Sequence, residues 1–107
     1  MPIYNKLVRD RIPEIIAASG KKFTTSMLTK EEYRAKLREK LQEEIKEYLE
    51  ANVDNECLEE LADVLEVVYA LAAVHGATSR ELEELRLAKA EKRGGFAKRL
   101  YLHEVED

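Results

Sequence analysis

Two acidic segments carry the chemistry this chain could do: Glu43-Glu44-Ile45-Lys46-Glu47 and Glu60-Leu61-Ala62-Asp63. In each, carboxylates recur three residues apart, a spacing that makes them neighbours on a helix surface. If the segments are antiparallel helices joined by a short turn, Glu44 and Glu47 come to face Glu60 and Asp63. Four carboxylates converging in this way repel one another, and together they make a hard-oxygen site for Mg²⁺ or Mn²⁺. On a helical wheel Glu44 falls between Leu37 and Tyr48, inside the apolar stripe. Glu60 borders the apolar arc beside Leu71, and Asp63 lies further out. An ionised carboxylate belongs in water, so one at a core edge calls for a partner.

Solvated charge is the competing reading. With 22 acidic residues in 107, a Glu-Glu-x-x-Glu pattern arises by chance about once in such a chain. Either motif alone reads as an ordinary charged helix face. The pair of them, on adjacent helices and at core edges, leaves a metal site and a solvated face both standing.

The elements that would position these residues can be read from local signals. Pro13 suits the first turn of a short helix over about 11–19, with Gly20 as its stop. Residues 21–28 have no helical period and read as extended chain or loop. Thr29 with Glu32 forms a capping box, and the helix it opens runs to about Glu50. Its apolar stripe is Tyr33, Leu37, Leu41, Ile45, Tyr48 and Leu49. Turn residues Asn52–Asn55 break it. The next helix, about 56–75, is apolar over about half its circumference, from Leu58 to Ala72, so it must be covered on two sides. Gly76 ends it, with His75 at the cap. Thr78 with Glu81 opens a charged helix that closes at Gly94-Gly95. The tail from Phe96 to Asp107 holds Phe96, Leu100, Tyr101 and Leu102, and is expected to pack back as an extended strand.

These elements make an all-α chain with one domain over residues 1–107. One copy cannot easily cover both sides of the 56–75 helix. A helical bundle whose four-helix core is completed by dimerisation, or by a higher homo-oligomer, would cover it. Net charge is −4 with both signs mixed, so no basic face for nucleic acid is present. Cys57 is the only cysteine, which excludes an intrachain disulfide and points to a reducing, cytoplasmic setting. No stretch has the length of a membrane span, and the N-terminus lacks a signal-peptide core.

Glu43-Glu44-x-x-Glu47 followed by Glu60-x-x-Asp63 resembles the metal-binding signature of the MazG-like all-α NTP pyrophosphatase superfamily. The run Tyr4-Asn5-Lys6-Leu7-Val8-Arg9-Asp10-Arg11-Ile12-Pro13 and the segment Lys89-x-x-Lys92-Arg93-Gly94-Gly95-Phe96 are similar to one of its branches. That branch is called phosphoribosyl-ATP pyrophosphohydrolase-like, or house-cleaning noncanonical NTP pyrophosphatase. The resemblance implies Mg²⁺, with Mn²⁺ as a substitute, held by Glu44, Glu47, Glu60 and Asp63. It implies a nucleotide substrate cleaved at the α-phosphorus to a nucleoside monophosphate and pyrophosphate, with Glu43 or Glu47 positioning or deprotonating the attacking water.

Carboxylates that hold a metal do not neutralise a triphosphate, so cations are needed as well. Lys6, Arg9 and Arg11, and Lys89, Lys92 and Arg93, are the candidates; Lys6, Arg9, Lys92 and Arg93 are taken as substrate-binding. Lys92 and Arg93 also suit a helix C-terminus through the helix dipole. Lys6, Arg9 and Arg11 around Asp10 equally suit a structural salt-bridge cluster, with Asp10 capping the first helix. His103 and Cys57 have no useful ligand or base neighbours; Tyr33, Tyr48 and Tyr69 sit at core spacing and read as core packing, with stacking of one of them on a base as the alternative. Two alternatives share the sequence features: phosphoribosyl-ATP hydrolysis in histidine biosynthesis, and a non-catalytic helical scaffold or regulator.

Overall fold

The computed structural model describes residues 2–107. Four helices follow one another: α1 (Ile12–Ala18), α2 (Lys30–Glu50), α3 (Asp54–Val74) and α4 (Ser79–Arg93), and there is no strand among the described residues. Both expected capping boxes form. The Thr29 hydroxyl accepts from the Glu32 amide while the Glu32 carboxylate accepts from the Thr29 amide. Thr78 and Glu81 do the same at the start of α4. Each box satisfies donors that the first helical turn would otherwise leave unpaired. At the far end of α3, Gly76 takes φ +84, a left-handed conformation that costs glycine little and lets the chain reverse into α4.

The α2–α3 hairpin is the frame of the molecule. The turn between the two helices is three residues, 51–53, so they must lie antiparallel and in contact along their length. Leu37 of α2, with Val67 and Ala72 of α3, forms the buried apolar centre. α4 touches only α3.

Three expectations are corrected. Asp10 does not cap α1: the cap position is Arg11, with no side-chain bond to the helix. Pro13 removes a donor from that first turn, so less is left there to cap. The tail forms no strand and does not pack back: Phe96 is 97% exposed, and Leu100, Tyr101 and Leu102 are also open. α3 begins two residues before the expected start, because Asp54 and Asn55 join the helix rather than the turn.

The chain is elongated, 62 × 35 × 25 Å with a radius of gyration of 18.3 Å, where a compact chain of this length would have about 13 Å. Ile45, Leu49, Leu58, Leu61 and Leu65 of the hairpin remain exposed. The burial that the apolar 56–75 pattern calls for is thus incomplete in one copy. No helix of the described residues is long and apolar enough to cross a membrane.

Candidate metal and nucleotide site

The hairpin brings Glu44 and Glu47 of α2 to Glu60 of α3, with one oxygen from each within 4.8 Å of the others. Glu44 is buried, at 8% exposure; Glu60 is half-buried and Glu47 exposed. One oxygen of Glu44 and one of Glu60, both Oε2, are buried with no hydrogen-bonding partner among the described residues. Unpaired buried carboxylate oxygens are expensive, so the arrangement makes physical sense when something positive joins it. Burial raises the Glu44 carboxyl above the usual carboxylate range, and the neighbouring Glu47 carboxylate adds to this while Lys40 opposes it. Burial likewise raises the Glu60 carboxyl, with Glu47 next in effect. All-oxygen donors, with no His or Cys among them, suit Mg²⁺ or Mn²⁺ rather than a softer metal.

Asp63 stands beside this cluster rather than in it. Its charge reaches both Glu44 and Glu60, but its Oδ1 accepts a 2.7 Å hydrogen bond from Arg9 Nη2. Three carboxylates therefore converge where four were expected, and the fourth is held by the N-terminal segment. Both partners are substantially exposed, and such ion pairs add little stability. What the contact does is lay residues 7–11 across the hairpin.

Beneath that segment runs a cleft of about 390 Å³, with Glu44 and Asp63 in its lining together with Arg9, Arg11, Lys40 and the apolar or aromatic residues Leu7, Val8, Tyr33, Leu37, Val67 and Ala70. Glu43 lies outside the carboxylate cluster, 3.6 Å from Lys40 Nζ. Lys6 and Glu43 line a separate small recess of about 50 Å³. Lys92 and Arg93 end α4, exposed, and line neither recess. Lys40 also lies 3.6 Å from Glu44, and its i,i+4 spacing from Glu44 is the signal for this contact in the sequence.

Residues 6–88 match the family described as phosphoribosyl-ATP pyrophosphohydrolase, whose members belong to the MazG-like all-α NTP pyrophosphatase superfamily. An uncharacterized protein of Mycolicibacterium smegmatis is 46% identical over 54 residues, covering 50% of this chain and 55% of that relative. The alignment thus spans about half the length of the curated relative it matches. No solved structure matches the chain.

Proposed function

The chain belongs to the phosphoribosyl-ATP pyrophosphohydrolase family, and on that premise we propose that it hydrolyses a nucleoside triphosphate, noncanonical ones included, to a monophosphate and pyrophosphate. The observation that carries the reading is the pair of buried, partnerless oxygens of Glu44 and Glu60 on facing helices. They belong to a three-carboxylate cluster, whereas a merely solvated acidic face would keep its oxygens in water.

Glu44, Glu47 and Glu60 would hold Mg²⁺, and Asp63 would join them on release from Arg9. When bound, the cation supplies charge against a polyphosphate and Lewis-acid polarisation of its phosphoryl oxygens. The remaining work falls to the protein. Glu47, or Glu43 one helical turn before it, positions the attacking water and accepts its proton. The new bond forms between that water oxygen and the α-phosphorus. The bond from the α-phosphorus to its bridging oxygen breaks, and pyrophosphate leaves. Arg9 would exchange Asp63 for a phosphate, since its planar fork suits either anion. Lys40 and Lys6 add positive charge nearby. Lys92 and Arg93 reach substrate only if a second copy supplies them, in a homodimer that also covers the exposed face of the hairpin.

Phosphoribosyl-ATP is the second substrate reading, favoured by the description of the matched family. Pyrophosphate release is measured from standard and modified nucleoside triphosphates and from phosphoribosyl-ATP, with Mg²⁺ and with chelator, for wild type, Glu47→Gln and Asp63→Asn. Metal-dependent release lost in both variants supports the reading, and the preferred substrate separates its two forms. No release from any of them, in a folded protein, sinks it.

A further inference from the structure

Among the described residues, the bond from Arg9 to Asp63 stands apart from every other ion pair. The rest join residues three or four apart within one helix, whereas this one spans 54 positions and ties the N-terminal segment to α3. Among the same residues, no backbone hydrogen bond links 2–10 to the hairpin. A pair this exposed adds little stability, so holding the segment down is a poor account of it. Its location gives a better one. Asp63 follows Glu60 by one turn of α3, and its charge reaches both Glu44 and Glu60.

Two demands therefore meet at one carboxylate. Glu44 is more than nine-tenths buried, and it and Glu60 each keep an oxygen without a partner among the described residues, so the cluster calls for a cation. Oxygens from Glu44, Glu47 and Glu60 are an incomplete shell for Mg²⁺, which takes octahedral coordination. Asp63 is the carboxylate beside them, but its Oδ1 is committed to Arg9 at 2.7 Å. A guanidinium is always charged, and it gives up one anion readily only when another replaces it. Arg9, Asp63 and Glu44 line the same cleft, so a phosphate entering it meets the guanidinium and the cluster together.

Resting on the hydrolase reading above, we propose that Arg9 and Asp63 form an exchange latch that couples cation binding to phosphate binding. With no phosphate present, Arg9 withholds Asp63, and a free cation finds three carboxylates. A phosphate group takes over the guanidinium, and Asp63 is released to the cluster as its fourth carboxylate. The site thereby favours a cation that arrives with a polyphosphate over a free one. Such coupling is reciprocal, so the cation tightens phosphate binding by the same factor. Toward the cation Arg9 is a positioning residue, since it acts only through Asp63.

The test needs no turnover. Mg²⁺ binding is measured by calorimetry, with no nucleotide or phosphate in solution, for wild type, Arg9→Gln, Asp63→Asn and the double variant. Arg9→Gln should tighten Mg²⁺ binding roughly five- to fiftyfold, a coupling of ordinary size. In the Asp63→Asn background the same substitution should change it by less than about twofold. Loss of a positive charge by itself would tighten binding in both backgrounds, so the cycle isolates the latch. Inorganic phosphate should then tighten Mg²⁺ binding to wild type and leave that of Arg9→Gln unchanged. The latch is overturned by no gain from Arg9→Gln, or by a gain that survives Asp63→Asn. A phosphate effect absent from wild type, or one that persists without Arg9, overturns it equally. Failure of the hydrolase reading shows separately, as absence of pyrophosphate release from wild type.

Discussion

The α2–α3 hairpin and helix α4 are both rich in charge, and α2 and α4 open with the same capping box, yet their charges have opposite fates. On α4, Glu83 accepts from Arg86 Nε at 2.9 Å, and Arg80 lies 3.9 Å from Glu84. Every one of these groups is in water, and no residue of α4 is buried. On the hairpin, Glu44, Glu47 and Glu60 converge at a core edge, and two of their oxygens have nothing to bond. Charge on a helix surface is the default for a soluble chain. Charge turned inward without a partner opposes folding.

The largest expected effect is on activity. Glu47→Gln and Glu60→Gln should each lower pyrophosphate release by about three orders of magnitude, the several kcal/mol a lost metal contact is worth. Glu83→Gln and Glu84→Gln on α4 should leave it within twofold. Comparable losses from both helices would erase the distinction. Next in size is cation binding: at Mg²⁺ one hundred times its Kd, the folded state gains about 2.7 kcal/mol. A melting curve with and without chelator reads this, and Glu60→Gln should remove most of the shift.

Glu44→Gln should raise the stability of the chelated protein by about 1–2 kcal/mol, since it removes a buried charge while its amide donates to the neighbouring carboxylates. Tm should rise by several degrees as activity falls. A lower Tm would mean that Glu44 is satisfied in some other way. The two regions should also respond to pH with opposite signs. Glu44 and Glu60 have raised carboxyls, so without metal the folded form binds protons more tightly than the unfolded chain. Stability should fall as pH rises from near the ordinary carboxylate value through the raised ones. Glu32 is lowered by its bonds to Thr29, and Glu83 by its bond to Arg86. Their contribution is present above the unfolded value and is lost as pH falls through the lowered ones. Melting profiles of wild type and Glu44→Gln in chelator, compared across acidic and neutral pH, separate the two. The smallest effect is at the cap: Thr78→Ala should cost about 1 kcal/mol without changing Mg²⁺ affinity, which calorimetry checks.

How much of this could be read beforehand depends on range. Thr29, Glu32, Thr78 and Glu81 announce their helices because a capping box is complete within four residues. The burial of Glu44 followed from the apolar stripe of its own helix, and the facing of Glu47 and Glu60 from a short turn. The contact of Arg9 with Asp63 spans 54 residues, and no local pattern encodes it, so Asp63 was grouped with the other carboxylates. Asp10 suits a cap position by residue type, but Pro13 removes a donor there. The aromatic and aliphatic residues of the tail suggested packing. Within one copy there is no surface that takes them up.

The short turn of the hairpin also bears on the order in which the molecule assembles. The cluster is closed by pairing two helices that are adjacent in sequence, a contact with little loop entropy to overcome. The N-terminal segment must instead find α3 from far along the chain, and an exposed ion pair does little to hold it there. Amide exchange should therefore be slowest in the middle of α2 and α3 and fast over residues 4–11. A chain opened at that segment would keep its grip on a cation after losing the roof of its cleft, so metal affinity would outlast nucleotide affinity under gentle denaturation.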